Sequence, residues 1–102
     1  MKVMMRSIMT VFPGKMEEAL EIEKEHMAVA SRVLGISPRI YQRLSGGGDT
    51  ARTIIVEAEL ENLAVLETLP EKMGKNPEMQ EIFPKLGAIV DTVEIELYIP
   101  IQ

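Results

Sequence analysis

Lys2-Val3-Met4-Met5-Arg6-Ser7-Ile8-Met9-Thr10-Val11-Phe12, closed by Pro13-Gly14, reads as a β-strand with apolar side chains on both faces. Val3, Met5, Ser7, Met9 and Val11 fall on one side. Met4, Arg6, Ile8, Thr10 and Phe12 fall on the other, because strand side chains alternate. A strand that is apolar on both sides is covered on both sides. Proline followed by glycine ends it.

Beyond the break, Lys15 to Leu34 has helical periodicity. Glu17 and Glu18 suit the positive N-terminal end, and Gly35 is placed to stop the helix. Pro38 to Leu44 reads as a second strand and Arg52 to Leu60 as a third, joined by the flexible Ser45-Gly46-Gly47-Gly48-Asp49. Asn62 to Lys75 is helical in character, and Pro70 must kink or restart it. Asn76-Pro77 opens a further helical stretch toward Leu86, with Asn76 as N-cap and an interruption or end near Pro84. Val90 to Ile99 is the last strand, ended by Pro100. The order strand, helix, strand, strand, broken helix, strand is that of a ferredoxin-like βαββαβ domain of the α+β class. It predicts a four-stranded antiparallel sheet with the helices on one face. The 102 residues, 1–102, fit one domain.

Alternation then divides the sheet. Val3, Met5, Met9, Val11, Ile40, Leu44, Ile54, Val56, Val93, Ile95, Leu97 and Ile99 form the more apolar set, which is expected to face the helices. The other set contains Met4, Arg6, Ile8, Phe12, Tyr41, Arg43, Thr53, Ile55, Glu57, Glu94 and Tyr98. A surface carrying Met4, Ile8, Phe12 and Ile55 together is an apolar patch of the kind that marks an interface. Its charges are of both signs, and Arg6 is expected to pair with Glu57 or Glu94. Two such sheets packed face to face make a two-fold homodimer, with Arg6, Ile8, Tyr41, Arg43, Ile55, Glu57 and Glu94 at the interface.

With that element order, the strand-to-helix passage Val11-Phe12-Pro13-Gly14-Lys15-Met16-Glu17-Glu18-Ala19 and the later Asn76-Pro77-Glu78, the chain resembles the dimeric α+β barrel superfamily over nearly its whole length. It is most similar to the small NIPSNAP-like members. The resemblance implies two ferredoxin-like sheets packed into one barrel. The superfamily hosts cofactor-independent monooxygenases, muconolactone isomerase-like enzymes, haem-degrading and haem-binding proteins and many members of unknown role, so fold alone does not assign function. Its haem degraders use a histidine ligand supported by tryptophan and asparagine, and this chain has no tryptophan.

Composition narrows the field. The net charge of −5 disfavours nucleic acid and anionic membrane surfaces. There is no cysteine, hence no disulfide, thiolate metal site or cysteine nucleophile, and a cytoplasmic location is expected. No segment approaches the roughly 20 apolar residues of a bilayer span. His26 is the one histidine. A Glu-x-x-His pair, Glu23 and His26, occurs once, where di-iron bundles carry it twice; no metal and no cofactor are expected. The triple glycine lacks phosphate-loop spacing.

The informative position is Glu23. At about 100° per residue, Met16, Ala19, Leu20, Met27, Ala30 and Leu34 gather on one helix face, and Glu23 falls within that apolar arc with His26 at its edge. A carboxylate facing the sheet is costly unless paired, protonated or open to water. It either reaches an arginine or a frayed edge, or lines a cavity between sheet and helices. Ser7 and Gln42 are the polar interruptions on the helix-facing side of the sheet. Ser7, Gln42 and Met27 are therefore candidate ligand-binding residues, with Glu23 and His26 as candidate general base. Three functions stay open: binding of a small apolar or aromatic molecule, a cofactor-independent oxygenase or isomerase reaction, and haem binding.

Overall fold

The computed structural model describes residues 1–101. Its elements are β1 (Val3–Val11), α1 (Met16–Leu34), β2 (Arg39–Gln42), a 3-10 turn (Thr50–Arg52), β3 (Thr53–Leu60), α2 (Ala64–Gly74), α3 (Pro77–Ile89) and β4 (Val90–Tyr98). The four strands form one antiparallel sheet in the order β2-β3-β1-β4. This is the ferredoxin-like α+β fold, with the helices on one face. β3 and β1 form the middle of the sheet and β2 and β4 its edges, so β1 is bonded along both sides.

Local chemistry sets the boundaries. Gly35 adopts φ 66°, the left-handed conformation that glycine takes without steric cost, and its N–H closes α1 on the Ser31 carbonyl at 2.9 Å. The Asn76 side chain accepts from the Met79 N–H at 3.1 Å, and Pro77 opens α3 where no intrahelical donor is needed. The expected break in the second helical region falls at 75–76, between α2 and α3. Pro70 and Pro84 sit inside continuous helices rather than at their ends. The cap at Asn76 separates the two helices, and each proline leaves one carbonyl without its intrahelical donor.

The core lies between the sheet and α1 and α3. Val3, Val11 and Ile54 are buried on the strands, as are Ala19, Val29 and Ala30 on α1 and Met79, Ile82 and Ile89 on α3. Arg32 of α1 clasps Glu78 of α3 through two bonds of 3.0 and 2.8 Å, which holds Glu78 below the usual carboxylate range.

Two expectations fail. Leu44 lies beyond the end of β2 and is 95% exposed. Val93, Ile95 and Leu97 point to the helical side, yet each stays about half exposed at 52%, 54% and 48%. Of β4, only Val90 packs against the core, because the helical layer stands over β1 and β3 and stops short of the edge strand.

Asn76→Ala removes the α3 cap. It is expected to cost about 1 kcal/mol, read as a lower urea midpoint with unchanged slope.

Candidate functional site

The incomplete helical cover leaves a cavity of about 430 Å³ between sheet and helices. Its floor is β1 and β3, through Met5, Ser7, Met9, Val56 and Ala58. Met27, Ala30 and Leu34 of α1 form one wall, Leu69, Pro70 and Met73 of α2 another, and Leu86 and Gly87 of α3 contribute to the rim. Val93 and Ile95 of β4 flank the opening. Among the described residues, Ser7, Glu23 and His26 are the polar side chains that line it.

The structure thus brings Glu23, His26, Ser7 and Met27 to one cavity. Gln42 is not among them. Its register partner is Ile54, on the helical face, but β2 is the outer strand, and Gln42 is exposed at its end. The sequence reading missed Leu69, Pro70 and Met73, whose placement depends on how α2 folds back over the sheet. It also missed Phe83, which meets the His26 ring edge-on at 5.9 Å between centroids.

Glu23 is 1% exposed. No arginine reaches it: its one partner is His26, one turn along α1, with Oε1 lying 3.1 Å from Nδ1. Among the described residues, Glu23 Oε2 is the one buried side-chain polar atom with no hydrogen-bond partner. The pair can share a proton between Oε1 and Nδ1, leaving Oε2 as an acceptor against an apolar wall. No group of three His, Cys, Asp or Glu side chains gathers to hold a metal among the described residues.

The opposite face of the sheet carries a different constellation. Arg6 bonds Glu57 of β3 at 2.9 and 2.7 Å and lies 4.0 Å from Glu96 of β4. The second acidic neighbour is Glu96 and not Glu94, because the register sets Arg6 opposite Glu57 and Glu96 and sets Ile8 opposite Ile55 and Glu94. The Arg6 guanidinium also lies over the Tyr98 ring, 4.9 Å from its centroid. The Tyr98 hydroxyl donates to Glu96, and that bond holds the phenol proton above its ordinary range. Met4, Ile8 and Ile55 surround this cluster half-buried, with Phe12 and Tyr41 exposed further out. Arg43 does not join them; its side chain turns back to donate to the Gly47 carbonyl in the glycine-rich connection.

No family profile matches the chain, and no curated protein sequence does. Solved structures match it over its full length. An uncharacterized NIPSNAP domain protein from Burkholderia xenovorans superimposes with a TM-score of 0.80 at 18% identity, covering 99% of this chain and 95% of that one. A cofactor-independent oxygenase from Streptomyces nogalater gives 0.69 at 16% identity, covering 99% and 94%. A dimeric protein of unknown function and ferredoxin-like fold from Bacteroides fragilis gives 0.65 at 14%, covering 95% and 94%. The fold is that of NIPSNAP-family proteins and their ferredoxin-like relatives.

His26→Ala strips Glu23 of its one partner and is expected to destabilise the fold by about 1–3 kcal/mol. Glu23→Leu, which replaces the buried carboxylate by an apolar side chain, is expected to be neutral or stabilising. Adding Glu23→Leu to His26→Ala should recover most of the loss, and a double-mutant cycle from urea unfolding measures the coupling.

Proposed function

We propose that this protein is a homodimer that binds a small apolar or aromatic molecule between the sheet and the helices. The observation that carries the reading is the cavity itself. It is about 430 Å³, within the range of small-molecule sites, and its apolar wall is broken by a few converging polar groups. The dimer reading rests on the apolar ring of Met4, Ile8, Ile55, Phe12 and Tyr41 on the uncovered sheet face, and the dimeric Bacteroides relative with the same fold supports it. Arg6 and Glu57 already neutralise each other in the centre of that face, so a second sheet can cover them without stranding a charge.

A second reading is supported by the fold shared with the Streptomyces cofactor-independent oxygenase and by the Glu23–His26 pair at 3.1 Å. Here Glu23 or His26 removes a proton from the bound molecule, and the electron-rich product reacts with dioxygen or rearranges. An oxygen electrode discriminates the two. Ligands that bind and consume oxygen only when Glu23 is present establish the enzyme; ligands that bind without turnover establish the binding protein.

The ligand site is tested at its rim. A Cβ added at Gly87 meets nothing within 4 Å, so Gly87→Phe is expected to fold and to narrow the mouth. Saturable binding of 2-methylnaphthalene should weaken by about tenfold, the equivalent of about 1.4 kcal/mol of lost contact. Undiminished affinity would remove this cavity from consideration. For the interface, sedimentation should give the mass of two chains at micromolar concentration. Ile55→Asp, which buries an unpaired charge in the contact, should give the mass of one chain or an unfolded protein.

A further inference from the structure

We propose that the ligand of this cavity presents a hydrogen-bond donor, a neutral hydroxyl or an ammonium, to Glu23 Oε2, and that the site rejects molecules whose polar end only accepts. The inference rests on the reading of the cavity as a small-molecule site and specifies the head group that site selects.

The hydrogen-bonding capacity of Glu23 Oε2 depends on where the Glu23–His26 pair holds its proton. Oε1 and Nδ1 stand 3.1 Å apart. With a proton in that contact, donated from Nδ1 to an ionised glutamate or from a protonated Oε1 to the imidazole, Oε2 carries no hydrogen and is an acceptor with no donor within the protein. A glutamic acid protonated on Oε2 instead, with Oε1 accepting from Nδ1–H, would make Oε2 a donor and reverse the preference, so 2-naphthoate binding tighter than 2-naphthol overturns the donor rule. A buried acceptor without a donor is a standing cost, removed when a ligand brings an N–H or O–H to it.

The surroundings make this selective. The cavity wall that Glu23 shares includes Met27, Ala30, Met73, Leu86 and Val56, none of which offers a side-chain hydrogen bond. Ser7 on the floor is the one further polar side chain besides His26, and a hydroxyl can serve either partner. A carboxylate or ketone head would face Oε2 lone pair to lone pair, with no arginine or lysine in the cavity lining to offset it. Selectivity of this kind is large, because a site that holds a buried polar group unpaired penalises the analogue lacking the matching group.

The test is a series of naphthalenes that differ only in the head group, titrated into the wild-type protein at neutral pH. The chain has no tryptophan, so naphthyl fluorescence reports binding without a competing indole signal. 2-Naphthol should bind at least about tenfold tighter than 2-methylnaphthalene, in keeping with a hydrogen bond made to a buried acceptor, and 2-naphthoate should bind more weakly than either. 2-(Aminomethyl)naphthalene separates the two donor sources: tighter than naphthol assigns a cationic head, weaker assigns a hydroxyl, and either supports the donor rule. Glu23→Gln supplies a donor as well as an acceptor at this position, so the ratio of naphthol to naphthoate affinity should collapse. Equal binding of naphthol, methylnaphthalene and naphthoate to the wild type overturns the donor rule and leaves the cavity standing as an apolar site. Absence of binding across the whole series overturns both.

Discussion

β1 is hydrogen-bonded along both edges, to β3 on one side and β4 on the other, and every other element is placed with respect to it. A strand in that position cannot turn either face to water cheaply when both faces are apolar. One face is satisfied within the chain, where Met9 and Val11 meet the helical layer. The other carries Met4, Arg6, Ile8 and Thr10 and stays partly open. The molecule is correspondingly flat, 17 Å along its shortest axis against 38 and 36 Å along the others. A sheet covered on a single side has that shape, and the uncovered apolar surface is what a second copy of the chain would remove from water.

The cavity follows from the same geometry on the helical side. α1 and α3 pack on each other and are clasped by Arg32 and Glu78, which fixes the helical layer over β1 and β3. Among the described residues, the helical layer covers β4 only at Val90, and Val93 and Ile95 remain at an open margin. α2 closes part of the gap through Leu69, Pro70 and Met73. The space left over is bounded almost wholly by hydrocarbon, and a glutamate is set into it. A buried carboxylate with one orphaned oxygen lowers stability, so a ligand that supplies the missing donor would also stabilise the folded state by mass action.

Much of the fold was legible from periodicity. The alternation of β1, β3 and β4, the glycine stop after Leu34 and the Asn76-Pro77 cap are local signals, each with a local physical cause, and the element order follows from them. Glu23 was also legible, because a charge in the wrong helical phase stands out against Leu20, Met27 and Ala30. Its partner was legible as His26, three residues on. What the sequence could not convey is lateral extent. Alternation assigns Val93, Ile95 and Gln42 to the helical face, but it does not say how far the helices reach across the sheet. That depends on where α1 and α3 settle against each other, a matter of tertiary packing. Gln42 and β4 therefore fell outside the cover although their phase was right. Arg43, expected on the same face as Arg6, instead donates to the Gly47 carbonyl of the glycine-rich loop, a local contact that strand alternation does not anticipate.

The candidate site and the candidate interface are joined by a single stretch of backbone. Ser7 faces the cavity, while its neighbours Arg6 and Ile8 face the open side. Register places the three on successive rungs: Arg6 with Glu57 and Glu96, Ser7 with Val56 and Ile95, Ile8 with Ile55 and Glu94. Ser7 thus stands on the cavity floor between two rungs whose side chains point away from the cavity. A molecule held at Ser7 and a partner packed on Arg6 and Ile8 would therefore both bear on β1, from opposite sides of the sheet.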